Sequence, residues 1–487
     1  MDINFRIIIK VVSAVVFLSA ALMLIPILNG FLNGEDVVAF IATSLSAIGI
    51  SSLVFLKVRK SDSSLGKREG YLIVVFSWVS IAILASLPYY FSIDSLGFIS
   101  AIFESFSGLT TTGATIFGDI EALPDNILIW RSLTQWIGGM GIIVLTVAIF
   151  PLLGIGGVEL FVAESPGPTS NKIHPRIKET AKRLWLIYVA LTSILIVILY
   201  LEGMGWFDAF NHGLTTMATG GFSTKNDSIA HFDVPLIQYT LILFMFIAGT
   251  NYTLLYFGFK GKFRRIWQSD EFKTYIFFVL FCIIFVSVGI YFNIDQSFEQ
   301  SFRQASFQLI SVITTTGFVS ADYTAWHPFL TLFFFALLFC GACAGSTSGG
   351  IKFIRHLVLA KNSFLEFKRL LHPNALIRIR IDNEIVRPRI LTHILVFLIL
   401  YIFTFLIGAI VMSFIFSDFD QPLLSALGAT ATALGNVGPA FGDLGPTDHF
   451  AAVPDSGKVF LSLLMLIGRL ELFSVLILLT PGFWRND

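Results

Sequence analysis

The sequence predicts an all-α, multi-pass membrane protein: two leading transmembrane helices, then four tandem helix–half-helix–helix repeats. Three observations carry that prediction. Apolar residues make up 55% of the 487-residue chain and charged residues only 13%, with 51 phenylalanines; the mean hydropathy is +0.81. Apolar runs long enough to cross a bilayer recur along the chain, and after the first two a Thr/Gly turn punctuates every second gap. Lys and Arg, finally, concentrate in alternate loops. A soluble chain of this length carries roughly a quarter charged residues, so lipid is the solvent that suits this composition.

A full span takes about 20 apolar residues. In chain order the spans fall at 6–29, 36–57, 70–92, 128–153, 181–202, 234–259, 272–293, 327–360 (interrupted), 389–416 and 456–480. The first begins in MDINFRIIIKVVSAVVFLSAALMLIPIL, which is too long and lacks an A-x-A-like cleavage site. It reads as a retained span, not a signal peptide. Shorter, semi-apolar pieces lie at 98–112, 206–219, 299–316 and 421–437. None is long enough to cross. Cys282, Cys340 and Cys343 sit inside apolar runs and read as small core residues, since no second Cys or His pair accompanies the CxxC.

Orientation follows from the basic residues of the loops. One side carries Arg6, Lys10, Lys57, Arg59, Lys60, Lys67 and Arg68, then Lys172, Arg176, Lys178, Lys182 and Arg183. It continues with Lys260, Lys262, Arg264, Arg265 and Lys273, and a basic linker from Lys352 to Arg389. The opposite side is acidic, with Lys225 and Arg303 as the exceptions. This places both termini in the cytoplasm and all four short pieces on the outer side, in the plasma (inner) membrane. A segment that enters and leaves on one side is re-entrant, and its irregular backbone is tolerated only when buried in protein or lining a wet cavity.

The four units share a turn: TTTGAT (110–115), ATGGFS (218–223), TTTGFV (314–319) and GNVGPA (435–440). One glycine is common to all, at Gly113, Gly221, Gly317 and Gly438, about one span–loop–span unit apart. The half-helices before the turns are alike too: FISAIFESFSGL, WFDAFNHGLTTM, FEQSFRQASFQLI and PLLSALGATATAL. Small residues also let membrane helices pack closely, but close packing alone does not put four glycines at the ends of four outer-side half-spans. The organisation is therefore 1–65 for the two extra helices, then repeats at 66–170, 171–265, 266–385 and 386–487.

Four such units around an axis would aim four helix C-termini, each with about half a negative charge, at one point in mid-membrane. Extended Thr/Gly segments beyond it can present rings of carbonyls that replace a cation's hydration shell. Glycine permits the required dihedrals and a close approach to the axis. The acidic rim either concentrates cations at the mouth or is an ordinary solvated surface.

On these motifs the chain resembles the TrkH/KtrB/HKT superfamily of potassium translocators, over nearly its whole length and with the two extra spans that only some members have. The resemblance implies helix–pore-loop–helix repeats around a pseudo-four-fold pore, with K⁺ uptake by channel-like conduction; one glycine per segment gives few carbonyl rings, so weak discrimination among K⁺, Rb⁺ and Na⁺ is expected. It implies K⁺ held by carbonyls of Thr111, Thr112, Gly113, Thr219, Gly220, Gly221, Thr315, Thr316, Gly317, Asn436, Val437 and Gly438. Asn-Val makes the fourth segment the most divergent. In this superfamily Ser at the first position tends to accompany Na⁺ transport, so Gly113 favours K⁺.

The second helix of the third repeat is interrupted by FCGACAGSTSGGIKF (339–353). It fails as a phosphate loop, because Ile351 precedes the lysine and no Ser or Thr follows. It reads instead as a flexible intramembrane gating loop, 341–350, built on Gly341, Gly345, Ser346, Thr347, Ser348, Gly349 and Gly350, and the resemblance implies a gate there. Arg469, deep in the last span, demands a partner. We expect it to hold the loop by hydrogen bonds to its carbonyls, the rival being a local pair with Glu471.

The family also implies a homodimer and a cytosolic, nucleotide-binding ring of the TrkA type docked on the basic face, although anionic lipid would attract the same charges. The sequence has no nucleotide motif of its own, so no intrinsic cofactor is expected, and ATP or NAD would act only through that ring. Zero net charge argues against nucleic acid. An enzyme is not expected, since the eight histidines form no HxxxH or HxxE pattern. A secondary transporter coupling K⁺ to H⁺ or Na⁺ is the rival within transport, and few mid-membrane ionisable residues beyond Glu104, Arg469 and Glu471 favour it.

Overall fold

The apolar runs fold as helices that are apolar on both faces, one face packed and the other free. In Asp270–Asn293, Tyr275, Val279, Cys282, Val286 and Ile290 are buried at helical spacing, while Phe277, Phe281, Ile284 and Phe292 project outward. That pattern suits a helix packed on protein on one side and immersed in lipid on the other. The structure is a computed structural model and describes residues 3–59, 66–149 and 177–485. The domain boundaries at 65 and 170 border or fall in segments outside these residues, as do Lys60, Lys172, Arg176 and the end of the 128–153 span.

Among the described residues six helices are long and apolar enough to cross a membrane, and two bent helix pairs qualify if each is one span. The protein is thus a multi-pass, mostly helical membrane protein. Phe5–Leu22 packs on Val38–Val58 and on Lys67–Ser92, joining the extra helices to the first repeat. The four short pieces are the half-helices Phe98–Leu109, Trp206–Met217, Phe298–Ile313 and Pro422–Gly435. Their starts are built locally. Ser297 caps the third by accepting from the Gln300 N–H at 3.2 Å, and proline opens the fourth.

Each of the first three half-helices is wedged between spans of its own repeat and the second helix of the repeat before it. The first lies between Lys67–Ser92, Asp125–Ile149 and Asp455–Arg469 of the fourth repeat. The second touches Asp125–Ile149, and the third Pro235–Ala248. The first half-helix thus touches the end of the chain as well as its own neighbours.

Three of the expected second helices are not straight spans. The 234–259 run is two helices, Pro235–Ala248 and Tyr252–Phe259, at 107°, because Asn251 starts a new helix by accepting from the Thr253 N–H at 2.8 Å. The 456–480 run is Asp455–Arg469 followed by Phe473–Leu479 at 110°. Its first arm ends with Leu472 N–H on Ile467 O (2.9 Å), Glu471 N–H on Gly468 O (3.1 Å) and Glu471 left-handed at φ 56°. That is a Schellman stop. Asp125–Ile149 is broken at Gly141 (φ 61°, ψ −177°). With the interruption after Pro328–Leu337, every repeat breaks its second helix. Part of the 352–389 linker is also ordered, as helix Phe353–Leu371 and a hairpin pairing Arg380 with Ile385 across left-handed Asp382 and Asn383.

Candidate functional site

The four turns fold alike although their sequences differ. After each half-helix one residue is left-handed: Thr111 (φ 53°), Thr219 (54°), Thr315 (56°) and Asn436 (53°), all fully buried. Two residues later the common glycine is left-handed as well: Gly113 (84°), Gly221 (79°), Gly317 (82°) and Gly438 (104°). The first of each pair makes a Schellman stop. Thr112, Gly220, Thr316 and Val437 donate their N–H to Ser107, Thr215, Ser311 and Thr432 carbonyls at 2.9, 2.9, 2.8 and 3.0 Å. Left-handed Thr is strained by about 1–2 kcal/mol, so three such threonines at equivalent positions mark a geometry that the surroundings impose.

The turns also touch in a closed order. A Cβ on Gly113 would strike the carbonyl oxygen of Gly220, one on Gly221 that of Thr316, one on Gly317 that of Val437, and one on Gly438 that of Thr112. Each glycine therefore admits the carbonyl preceding the next glycine, around four segments and back to the first. All twelve residues expected from the resemblance lie in this ring. Hydroxyls brace two of the segments: Thr110 and Thr112 share a hydrogen bond of 2.8 Å, as do Thr314 and Thr316. Thr110 and Thr314 spend their own hydrogens on Phe106 and Ile310 carbonyls. Asn436 Nδ2 donates to Thr112 Oγ1 (3.0 Å) and Met465 O (2.9 Å), tying the fourth segment to the first.

The interrupting loop packs directly behind the ring. Gly341 N–H donates to Ile351 O (2.8 Å) and Phe353 N–H to Ala342 O (2.9 Å), which closes its neck. Cys343 N–H donates to Gly249 O (3.1 Å) and Tyr252 N–H to Gly345 O (3.1 Å), pairing the loop with the break in the second repeat. Thr347 Oγ1 lies within hydrogen-bond reach of the carbonyls of Met217 and Ala248, and Gly349 N–H donates to Thr315 Oγ1 at 2.7 Å. Gly349 also lies against Gly435 and Asn436. Ser346 and Ser348 share a hydrogen bond of 2.9 Å, and Lys352 Nζ donates to Ser348 O. Gly345 and Gly350 are left-handed, at 74° and 66°.

Arg469 reaches this loop as the sequence leads one to expect. Its Nη1 donates to Thr347 O at 2.9 Å, and its Nη2 to the carbonyls of Gly138 and, at 3.0 Å, Gly139 in the first repeat. Glu471 takes no part. It pairs with Arg355, whose guanidinium stacks over Phe397 at 3.8 Å.

Several supporting residues escape the sequence reading: Arg131, Lys458 and Gln135, and with Arg131 the partner of the mid-membrane acid Glu104. Arg131 and Glu104, 1% and 0% exposed, form an ion pair at 2.8 Å. Glu104 also accepts from Ile116 N–H (2.9 Å) and the Thr115 hydroxyl, while Arg131 donates to Ser223 O and covers the Phe222 ring at 4.2 Å. Lys458, also buried, donates to Ser100 Oγ and Ala451 O. Arg131 and Lys458 join Lys225 and Arg303 as exceptions to the expected charge pattern, and that break in the pattern was the available signal. Gln135 Nε2 donates to Gly220 O at 2.6 Å. A lone Gln in an apolar run carries no comparable flag.

An apolar bundle in which four half-helices end in one ring, with a folded loop behind it, has the build of a multi-pass membrane transport protein. The comparisons agree. Residues 37–483 match the family model TrkH, described as a cation transport protein. The "Trk system potassium uptake protein TrkH" of Escherichia coli K12 is 40% identical over 99% of this chain and 100% of its own length. The protein of that name from Halomonas elongata is 36% identical over the same shares. The crystal structure titled as the potassium transporter TrkH from Vibrio parahaemolyticus aligns with a TM-score of 0.88 at 37% identity, over 99% of this chain and 100% of that one. The chain belongs to the TrkH family, a family of transport proteins rather than enzymes.

Proposed function

We propose that this chain takes up K⁺ across the plasma membrane by conduction through the four-segment ring. The observation that carries the reading is the closed order of glycines and carbonyls at 113, 221, 317 and 438. Four helix C-termini give that place a negative potential, and the carbonyls replace the ion's water. The relatives' names, which specify potassium uptake, support the same cation. The carboxylates at hand argue against proton coupling: Glu104 is held by Arg131 and Glu471 by Arg355.

In this reading loop 341–350 and Arg469 form the gate. A homodimer with cytoplasmic termini presents the basic face to a TrkA-type nucleotide-binding ring, which brings any ATP or NAD dependence. The test is ⁸⁶Rb⁺ entry into proteoliposomes, with the ring partner present or absent. Flux blocked by external K⁺ and indifferent to a pH gradient supports conduction. Flux that follows the pH or Na⁺ gradient supports a symporter instead, and none under any condition removes the transport reading.

A further inference from the structure

The second turn, ATGGFS, departs from the others by a second glycine. Repeats one and three have Thr at the position before the common glycine, repeat four has Val437, and only repeat two has Gly220. Backbone freedom does not explain it. Gly220 is not left-handed, unlike Gly221 beside it. Space does: a Cβ on Gly220 would fall on the Cδ and Oε1 of Gln135, which is itself fully buried.

Gln135 fills that space with two hydrogen bonds. Its Nε2 donates to Gly220 O at 2.6 Å, and its Oε1 accepts from Phe222 N–H at 3.1 Å. One side chain thus brackets Gly221 from both sides. The carbonyl it takes is the one facing Gly113, one of the four that make up the ring. Among the described residues no side chain donates to the equivalent carbonyls of Thr112, Thr316 or Val437. Segments one and three have their paired threonines, and segment four has Asn436. Segment two has two consecutive glycines and no such brace.

We propose that Gln135 is a specificity-determining positioning residue: it clamps the Gly220 carbonyl so that the second segment contributes one fixed ligand to the cation site. This rests on the filter reading above. A carbonyl oxygen has two lone pairs. The amide takes one, which fixes the direction of the C=O and leaves the other for the ion. Discrimination between K⁺ and Na⁺ depends on how many carbonyl dipoles face the ion and how freely they move. Releasing one of four lets the site contract around the smaller ion, at little cost to conduction of the larger.

The experiment compares relative Na⁺ and ⁸⁶Rb⁺ permeability in proteoliposomes for wild type, Gln135→Met, Gln135→Glu, Gly220→Ala and Gly113→Ser. Gln135→Met keeps the volume and removes both bonds, Gln135→Glu loses the donor, and Gly220→Ala displaces the amide from the other side. Gln135→Met should raise relative Na⁺ permeability roughly threefold to tenfold, the range one hydrogen bond's net free energy spans, while keeping most Rb⁺ flux; Gln135→Glu and Gly220→Ala should shift the ratio in the same direction whatever their absolute flux. A packing defect alone would lower both fluxes together. An unchanged ratio in the variants that reconstitute overturns the inference. Gly113→Ser separates the two readings: if it shifts the ratio and the Gln135 variants do not, only the clamp falls. If it too leaves the ratio unmoved while wild type conducts, the filter reading falls with it.

Discussion

Arg469 Nη1 donates to the carbonyl of Thr347 at 2.9 Å while its Nη2 holds the carbonyls of Gly138 and Gly139. One guanidinium thus joins the fourth repeat to the loop of the third and the broken helix of the first. In the proposed conduction path an arginine at this depth would also present a positive charge to a cation leaving the ring. Arg469→Ala removes both the latch and the barrier, so ⁸⁶Rb⁺ flux should rise. Arg469→Lys keeps the charge but cannot span both carbonyl sets, so its flux should lie between the two. Unchanged or lower flux in well-folded Arg469→Ala sets the gate reading aside.

Glu471 acts on the same latch at one remove. It is left-handed at φ 56°, stops the helix that carries Arg469, and is held by Arg355. Glu471→Gln weakens that hold and frees Arg469 to shift. Flux should rise less than in Arg469→Ala, and the double variant should match Arg469→Ala alone, since coupled residues do not add. Independent, additive increases would show that Glu471 and Arg469 do separate jobs.

The Glu104–Arg131 pair is buried enough that breaking it one-sidedly is expensive. Removal of one partner of a buried pair costs about 3–5 kcal/mol, because the other charge is left uncompensated. Arg131→Met and Glu104→Gln should each lower the thermal unfolding midpoint in detergent, since each leaves one member of the pair without its partner. The double variant should recover part of the loss. A double variant less stable than both singles would mean that the contacts to Thr115, Ile116 and Ser223 matter more than the charge pair.

How legible these features were follows from what kind of signal each leaves. Half-helices and common glycines were readable because apolar length and a repeated residue type are local properties: Phe98–Leu109 and Pro422–Gly435 fall within their expected bounds. The partner of Arg469 was readable because an intramembrane charge has few options. The breaks at Asn251 and Glu471 were not, since an apolar run looks the same whether it crosses straight or turns by 107° or 110°. Nor was the left-handed residue two positions before each glycine. Threonine is not a residue that advertises positive φ, and only the Schellman bonds of the folded half-helix put it there. Gln135 is the limiting case, because its meaning lies in a carbonyl 85 positions away.

The common glycines make the sharpest demand on side-chain size. At Gly317 φ is 82°, and a Cβ would meet both the Val437 carbonyl oxygen and, at 2.9 Å, Pro439 Cδ. Alanine there incurs roughly 1–2 kcal/mol of backbone strain before any contact is counted. The carbonyl it strikes belongs to the ring, so relief of the clash would move one of the proposed ligands. Gly317→Ala should therefore cut ⁸⁶Rb⁺ flux at least about tenfold, the rate equivalent of some 1.4 kcal/mol, with the protein still extractable. Gly49→Ala is the matched control: it lies inside helix Val38–Val58 with nothing within 4 Å of the added carbon. Alanine is the better helix former there, so flux should stay at the wild-type level. Equal losses in both variants would trace the effect to general fragility toward glycine replacement. A loss confined to Gly317→Ala would trace it to the carbonyl that the glycine admits.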